Sequence, residues 1–488
     1  MKTLILFVMV LLFTSPFFVH AQTNEWMTQY VTLDDAVNGT GERTASVAAL
    51  GPDNFVALVA RLQSGEGLFG AMEVNYLVGY MNADSLNGRV AFQEYDPASQ
   101  FEVWSSGLDQ VTFEAAWQIA GGKDNLVYVA NNDPTHNILV FQLTELGVIP
   151  TDFRMETGSE NIYAIEVDTA GYVYVVDYEG SDQKTDEVKV FAPIGAPGTT
   201  WDVPGGHNDP PVTTIDLPPG IYQGITVSSD GSQLFISATS ERSLWKFVGD
   251  PVNGYTRDTS FDLTLSPDDT VGNGGTGTPS FLGLAYLDDP GVVFAAVDTF
   301  LSLGVFGGYP YGRIYVVDPV NAVIPDTIDI AAWNLKVTGS FNSGSSNGRA
   351  GGFTSVYDVD VEPTEPAVYT QSYYGWAVEK WVFNGDLGTI VSVEQLSQSI
   401  PENFSLKQNY PNPFNPSTTI EFDIKQATHV KLNIYNILGY KVKTLVNEYL
   451  VPGSYKIVFE GENLPSGVYY YTIQAGAFKD TRKMIWPE

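Results

Sequence analysis

A strand–turn–strand unit recurs six times before residue 393, and this repeat restricts the fold more than any other feature. In each unit an alternating apolar strand leads through a short polar turn, such as Asp168-Thr-Ala-Gly171, into a second apolar strand. The six pairs are Ser46–Leu50 with Phe55–Leu62, Phe113–Ile119 with Leu126–Asn131, Ile162–Val167 with Tyr172–Asp177, Gly224–Val227 with Gln233–Ala238, Phe281–Tyr286 with Val292–Asp298, and Val356–Val361 with Ala367–Ser372. Short strands that recur at this spacing predict an all-β chain.

Further strands extend each unit. The predicted third strands are Arg89–Tyr95, Asn137–Leu143, Glu187–Phe191, Ser243–Val248, Gly312–Asp318 and Ala377–Phe383. The predicted fourth strands, present after the first five units only, are Phe101–Trp104, Thr151–Met155, Val212–Leu217, Ser260–Leu265 and Thr327–Ile330. The spare strand Trp26–Leu33 lies at the opposite end of the repeat. We therefore predict a six-bladed β-propeller in which Trp26–Leu33 pairs with Ala377–Phe383 and completes the last blade. A β-sandwich array and a β-helix are the alternatives.

Two blade cores carry a family resemblance. Ile225-Thr-Val-Ser-Ser-Asp-Gly-Ser-Gln-Leu-Phe-Ile-Ser237 and Ile165-Glu-Val-Asp-Thr-Ala-Gly-Tyr-Val-Tyr-Val-Val-Asp177 resemble the blade core of NHL-type six-bladed propellers, a group that includes the gluconolactonase-like enzymes. The resemblance covers the blade cores only. It implies a fold and no particular activity.

The first residues have the pattern of a secretory signal peptide. Lys2 is followed by the apolar run Leu4–Val19, and we expect cleavage between Ala21 and Gln22. An uncleaved membrane anchor is the alternative, but the run is short for a hydrocarbon layer of ~30 Å. No other run of about 18 apolar residues exists, so we expect no transmembrane segment in the mature protein. Secretion without any Cys indicates a bacterial exporter that does not rely on disulfides.

Charge divides the mature chain into two parts. The whole chain has a formal charge of -33, yet Ser397–Glu488 carries eight acids and nine bases. Gln22–Leu396 carries 49 acids and 14 bases, a net charge of -35 that makes nucleic acid an unfavourable partner. We predict a signal peptide (1–21), a propeller (22–393), a linker (394–402) and a second domain (403–488).

The second domain contains several specific motifs. They are Asn409-Tyr-Pro-Asn-Pro-Phe-Asn-Pro-Ser-Thr-Thr-Ile420, Val430-Lys-Leu-Asn-Ile-Tyr-Asn-Ile-Leu-Gly439, Leu464-Pro-Ser-Gly-Val-Tyr-Tyr-Tyr-Thr-Ile473 and Arg482-Lys-Met484. Over about 85 residues the segment resembles the type A C-terminal sorting domain of the type IX secretion system. The resemblance implies recognition by that machinery, passage through the outer membrane, and removal of the domain with release or surface attachment. The residues that carry the sorting motif are Asn409, Pro411, Asn412, Pro413, Asn415, Pro416, Gly439, Pro465, Gly467 and Lys483.

Alternating strands in this domain predict a small immunoglobulin-like β-sandwich. The strands are Thr418–Ile424, Val430–Ile437, Lys441–Val446, Ser454–Phe459, Gly467–Gln474 and Phe478–Met484. An ordinary carbohydrate-binding sandwich is the alternative. Lys431, Lys441 and Lys443 either mark a side that faces the translocon or are solvated charges.

The long loops of the propeller are predicted to crowd one face. They are Gln63–Gly88, Tyr178–Asp186, Thr299–Tyr311, Ser266–Ser280 and Ala331–Ser355. Insertions on one face of a repeat ring are typical of a binding surface, and tolerated surface variation is the alternative. The candidate ligand-binding residues are His136, Asp177, Asp298, Tyr309, Tyr311, Tyr373, Tyr374 and Trp376.

The available chemistry is limited. The absence of Cys excludes thiolate metal sites and Cys nucleophiles, and two His in the propeller are too few for a His-based zinc site. Ca²⁺ is the one cofactor that the loop acids Asp177, Glu179, Asp182 and Asp186 would select, and no other cofactor is indicated.

Paired acids form a separate candidate group. Asp358 and Asp360 share one face of a strand, as do Glu166 and Asp168; such pairs either perform acid/base chemistry or line the channel.

The resulting hypothesis is a secreted or surface-attached cargo of the type IX system, a non-enzymatic binding protein for a glycan or peptide. The alternative is a metal-dependent gluconolactonase-like hydrolase.

Overall fold

A computed structural model gives the fold of most of the chain. The residues that it describes are 26–32, 42–62, 72–81, 92–95, 116, 118–133, 136–145, 147–159, 161–179, 184–201, 208–265, 279–299, 312–338, 356–362, 367–372, 377–384, 387, 393–397, 401–415, 417–426, 428–450, 452–460, 465–476 and 478–487. The predicted signal peptide, with Ala21 and Gln22, lies outside these residues.

The fold is all-β, and the described residues form eight sheets. Sheet one contains β2 (Glu42–Gly51), β3 (Asn54–Leu62), β4 (Met72–Tyr80) and β5 (Phe92–Tyr95). Sheet two contains β6 (Gln118–Gly121), β7 (Leu126–Asp133), β8 (His136–Thr144) and β9 (Gly147–Met155). Sheet three contains β10 (Asn161–Val167), β11 (Val173–Glu179), β12 (Lys184–Phe191) and β13 (Thr213–Gly220). Within each of these sheets the strands are antiparallel and paired in chain order.

Sheets four to six continue the same pattern. Sheet four contains β14 (Tyr222–Val227), β15 (Gln233–Ala238), β16 (Ser243–Asp250), β17 (Gly254–Arg257) and β18 (Leu263–Thr264). Sheet five contains β19 (Pro279–Leu287), β20 (Val292–Thr299), β21 (Arg313–Asp318) and β22 (Val323–Asp329). Sheet six contains β23 (Val359–Val361), β24 (Ala367–Ser372), β25 (Ala377–Phe383) and β1 (Trp26–Thr32). The one α-helix among the described residues, α1 (Ile330–Thr338), follows β22. Short 3₁₀ turns occupy Lys123–Asn125 and Thr239–Glu241.

The first strand of the chain pairs with the last strand of the sixth sheet. β1 runs antiparallel to β25 from Trp26 opposite Phe383 to Thr32 opposite Val378, as the repeat pattern predicts. The Trp26 ring is buried beside Phe294 and Phe383, with ring centroids 5.7 and 5.0 Å away. Residues separated by most of the chain therefore share one sheet.

Among the residues that the structure describes, seven separate hydrophobic clusters form the core. Six of them lie between two sheets each: between one and two, two and three, three and four, four and five, five and six, and six and one. The close approach of first strands requires glycine, because a Cβ on Gly224 would lie 1.9 Å from the Leu282 carbonyl oxygen, and one on Gly283 would lie 2.2 Å from Asp358 Oδ1.

Several predicted strands need correction. The third strand of sheet one is β4, within the expected loop Gln63–Gly88, and the predicted third strand Arg89–Tyr95 contains the fourth, β5. The predicted Phe101–Trp104 lies outside the described residues. α1 occupies the start of the expected loop Ala331–Ser355, where Trp333 packs edge-on against Trp381 at 5.9 Å. The sequence analysis treated these insertions as loops, because the strand or helix that each contains has no counterpart in the other repeats.

The last two sheets face each other around the seventh cluster. The seventh sheet contains β26 (Val393–Ser397), β31 (Gly453–Glu460), β28 (Ser417–Ile424) and β27 (Ser405–Leu406), in that spatial order. The opposing sheet has the order β30 (Lys441–Leu450), β29 (Thr428–Asn436), β32 (Gly467–Ala475) and β33 (Phe478–Trp486). Ile420, Leu432 and Tyr471 are buried between them. β26 lies in the predicted linker (394–402) yet pairs with β31 as an edge strand.

No helix in the described part of the chain is long and apolar enough to cross a membrane.

Candidate functional site

Three polar side chains, Ser46 of sheet one, Gln118 of sheet two and Asp358 directly before the first strand of sheet six, form one hydrogen-bonded chain that reaches the backbone of sheet three. The Asp358 carboxylate on sheet six accepts hydrogen bonds from Ser46 Oγ of sheet one and, at 2.9 Å, from Gln118 Nε2 of sheet two. Gln118 Oε1 accepts the Ile165 N–H of sheet three at 2.9 Å. All three side chains are buried, so the bonds replace water that these polar groups lose on folding.

Two further carboxyls, Asp360 and Glu166, lie close to Asp358. Asp360 Oδ2 accepts the Ala49 N–H at 2.7 Å, and Glu166 Oε2 accepts the Thr226 hydroxyl of sheet four at 3.1 Å. The charges of Asp360 and Asp358 act on Glu166 although sheets three and six are far apart along the chain. We call Glu166, Asp358 and Asp360 the central carboxyls, because their charges interact although they belong to the third and the sixth unit of the repeat.

The central carboxyls hold their protons more tightly than ordinary acids. Burial raises the pKa of Asp358 to about 6 and that of Asp360 to about 7. Burial, and then the Asp360 charge, raise the pKa of Glu166 well above its usual value. Carboxyls with a pKa near neutrality are able to donate and accept protons at physiological pH.

The central carboxyls are engaged by protein donors. Both oxygens of Asp358 and both oxygens of Asp360 accept protein hydrogen bonds. Among the residues that the structure describes, no group of three or more His, Cys, Asp or Glu is arranged to hold a metal ion.

The predicted metal ligand Asp177 is paired with a lysine. Lys189 Nζ lies 2.6 Å from Asp177 Oδ2 and 3.0 Å from Glu187 Oε1, and it donates to Ser159 Oγ at 3.0 Å. Burial alone lowers the pKa of Lys189, but the two carboxylates outweigh it and the net shift is upward. Of the other predicted ligands, Glu179 ends β11, Asp186 lies in β12 and Asp182 is outside the described residues.

The predicted ligand-binding residues are only partly described. Asp298 is buried near the end of β20, and His136 begins β8. The aromatic candidates are outside the described residues: Tyr309, Tyr311, Tyr373, Tyr374 and Trp376.

The paired-acid prediction separates into two outcomes. Glu166 joins the central carboxyls, whereas Asp168 lies in the following turn, where it accepts the Tyr172 N–H at 2.9 Å and the Tyr174 hydroxyl at 3.1 Å. Sequence analysis missed Ser46 and Gln118. Each is a polar residue directly before the apolar part of a first strand, at Val47 and Ile119, and this position was the signal that could have identified them.

The Asn/Pro segment, residues 409–416, is held in the second module by buried hydrogen bonds. The Asn409 N–H donates to Tyr471 Oη at 2.7 Å, and Tyr471 Oη donates to the Lys407 carbonyl at 2.9 Å. Asn409 Nδ2 also donates to Thr418 Oγ1 at 2.9 Å. Burial raises the pKa of Tyr471 to about 12, so the phenol keeps the proton that it donates.

A second set of bonds joins the Asn/Pro segment to the last strand. Asn412 Nδ2 donates to the Lys483 carbonyl at 3.1 Å, and Asn412 Oδ1 accepts the Ile485 N–H at 2.9 Å. The Phe414 N–H donates to the Ile485 carbonyl at 3.1 Å. The two ends of the module's sequence motifs are therefore in direct contact.

The remaining motif residues lie in turns, at the start of a strand or at exposed positions. Gly439 has φ +80°, a left-handed conformation that favours glycine, and the Pro465 carbonyl accepts the Tyr469 hydroxyl at 2.6 Å. Gly467 begins β32, Pro411, Pro413 and Asn415 are exposed, and Pro416 is outside the described residues.

The comparison with known families identifies this module. Residues 408–486 match the family described as the secretion system C-terminal sorting domain. The predicted type IX sorting domain is thereby confirmed, and the chain carries the signal for secretion to the cell surface or extracellular space. No curated protein sequence matches the chain.

Solved structures with similar folds include β-propellers. A Bacteroides thetaiotaomicron protein of unknown function has 13% identity and a TM-score of 0.41, covering 73% of this chain and 76% of that one. PorZ, a surface component of the type IX secretion system of Porphyromonas gingivalis, has 11% identity and a TM-score of 0.39, covering 91% and 59%. The Pseudomonas aeruginosa periplasmic gluconolactonase has 10% identity and a TM-score of 0.38, covering 91% and 89%. TM-scores this low transfer no residue role.

Proposed function

We propose that residues 22–393 form a closed six-bladed β-propeller and that the protein is a cargo of the type IX secretion system. Support for the ring comes from the six inter-sheet clusters, the last of which lies between sheets six and one. The pairing of β1 with β25 supports completion of the sixth blade by the N-terminal strand. We further infer an immunoglobulin-like sandwich for the second module. We move its start to Val393, and the end of the propeller to residue 392, because β26 belongs to the sheet of the second module.

The observation that carries the cargo function is the match of residues 408–486 to a sorting domain. Such a domain delivers what precedes it, and here the preceding part is the acidic propeller. We propose that this propeller is a non-enzymatic binding protein that engages a glycan or peptide through its looped face. The oxygens of Asp358 and Asp360 are already occupied by protein donors, which favours a structural role for them over contact with a substrate.

The binding function is tested with the full mature chain from Gln22. Soluble glycans and peptides from the producing bacterium's surroundings are screened by calorimetry against the wild type and against the double variant Tyr373→Ala, Trp376→Ala. We expect one class to bind the wild type at least tenfold more tightly than the variant. Equal affinity for both proteins would place the ligand elsewhere, and no binding by any class would contradict the proposal.

A metal-dependent gluconolactonase-like hydrolase is the second candidate. The raised pKa values of the central carboxyls favour it, since acid/base catalysis near neutral pH needs such groups. Lactone hydrolysis is measured with the wild type and Asp360→Asn, each with CaCl₂ and with EDTA. Hydrolysis that requires the metal and fails in the variant would support this function in place of binding.

A further inference from the structure

The sorting domain displays a rigid group of apolar side chains at one hairpin tip. Between β29 and β30, Ile437 is 72% exposed, Leu438 75% and Tyr440 68%. We call these three residues the apolar knob. Large aliphatic and aromatic side chains gain free energy when they leave water, so a cluster this exposed favours a partner that covers it.

The backbone of the knob is fixed by its own turn. Asn436 Oδ1 accepts the N–H groups of Leu438 and Tyr440, both at 3.0 Å. The Asn436 carbonyl accepts the Gly439 N–H at 3.0 Å, and Gly439 adopts φ +80°. A tip held by side-chain and main-chain bonds loses little conformational freedom on binding, which favours tight docking.

Charge beside the knob indicates the partner's chemistry. Lys441 is exposed and directly follows Tyr440. The segment Ser397–Glu488 carries a small positive charge, whereas Gln22–Leu396 has a net charge of -35. An acidic rim on the partner would attract the knob and repel the propeller, so that the domain enters tip first.

We propose that the apolar knob, with Lys441 beside it, docks in an apolar pocket with an acidic rim on the type IX secretion machinery. The inference rests on the proposed cargo function, because a sorting domain must present a recognition surface to its exporter. It assigns that surface to the hairpin, where three large exposed apolar side chains lie within four positions. In the Asn/Pro segment the side chains of Asn409 and Asn412 make internal hydrogen bonds, and one large apolar side chain, Tyr410, is exposed, at 82%.

The test measures export of the full chain in a bacterium with a working type IX system. The fraction found on the surface and in the medium is compared for the wild type and the double variant Leu438→Ser, Tyr440→Ser. The control is the double variant Val252→Ser, Val320→Ser, which removes side chains 65% and 81% exposed on the propeller. We expect about a tenfold loss for the knob variant and none for the control, with unchanged melting temperatures for both.

Two further variants separate the possible outcomes. Lys441→Glu should lower export, because the acidic rim of the partner repels a negative side chain. Lys441→Arg keeps the positive charge and should be exported like the wild type. A chain ending at Gly388 tests the cargo function itself. If the truncated chain stays in the periplasm while the knob variant is exported normally, the knob proposal is wrong and the cargo function stands. If the truncated chain is exported too, the cargo function is wrong.

A second copy of the chain is the competing occupant of the knob. The molar mass of the purified wild type is therefore measured by light scattering over a range of concentrations. Dimers that disappear in the knob variant would make the hairpin a self-interface and overturn docking on the exporter. A monomer at all concentrations supports the proposal.

Discussion

The indole Nε1 of Trp26 donates a hydrogen bond of 2.9 Å to Asp326 Oδ2, although 300 positions separate the two residues in sequence. Trp26 begins the strand that completes the sixth sheet, while Asp326 lies on the outer strand of the fifth. Burial raises the pKa of Asp326 to about 6, and the indole partly offsets this by stabilising the carboxylate. One side chain thus anchors the N-terminal strand to two neighbouring sheets.

Removing this anchor should destabilise the packing of sheets five and six in two measurable steps. Trp26→Phe keeps a ring against Phe294 and Phe383 but loses the donor, and should lower the free energy of unfolding by about 1–2 kcal/mol. Trp26→Ala also leaves a cavity and should cost about 3–5 kcal/mol. Urea unfolding of the full mature chain measures both values. Equal stability of all three proteins would mean that β1 does not hold the sheets together.

The central carboxyls should make stability depend on pH. A carboxyl whose pKa is raised in the folded state stabilises the fold below its unfolded pKa, and that contribution is lost as pH rises through the folded pKa. For Asp358 and Asp360, with pKa values of about 6 and about 7, the loss falls between about pH 4 and pH 7. Asp360→Asn removes one such group and its repulsion of Glu166, so the variant should gain about 1–3 kcal/mol relative to the wild type across this window.

Urea unfolding at four pH values between 4 and 8 measures this gain. Asp289→Asn, at an exposed turn, is the matched control. A difference between Asp360→Asn and the wild type that does not change with pH would show that the central carboxyls are ionised throughout.

The Asn/Pro segment offers a matched pair of asparagines. Asn412→Ala removes both side-chain hydrogen bonds to the last strand and leaves the Lys483 carbonyl and Ile485 N–H without these partners, which should cost about 1–3 kcal/mol. Asn415→Ala changes an exposed residue of the same motif and should cost less than about 0.5 kcal/mol. Thermal unfolding followed by limited proteolysis reports on the sorting module specifically. If both variants cost the same, the observed bonds do not stabilise the module.

Gly283 should tolerate no side chain. A Cβ at this position would lie 2.2 Å from Asp358 Oδ1 and 2.6 Å from Asp358 Cα, so Gly283→Ala must push sheets five and six apart. We expect a loss of about 3 kcal/mol or more, or failure to fold. Gly467→Ala is the control, because a Cβ there meets no atom within 4 Å. Soluble yield and melting temperature are compared, and a stable Gly283→Ala protein would contradict the close packing of the two strands.

Local patterns predicted the regular parts of the fold well. The pair Ile162–Val167 and Tyr172–Asp177 corresponds to β10 and β11, and the six strands expected in the second module correspond to β28–β33. These segments are regular because period-two alternation and turn residues act over a few positions. β4 and α1 were missed, since an insertion with its own strand or helix has no counterpart in the other repeats.

The sequence by itself determined the all-β class, the pairing partner of the N-terminal strand and the sorting module, because alternation, repeat order and local motifs are written in consecutive residues. Only the tertiary structure decided which polar groups meet. Asp177 pairs with Lys189, and Asp358 joins Ser46 and Gln118, through contacts between strands that no local pattern encodes. The environment of a carboxyl depends on burial and on neighbours distant in the chain, so its pKa and its role follow from packing.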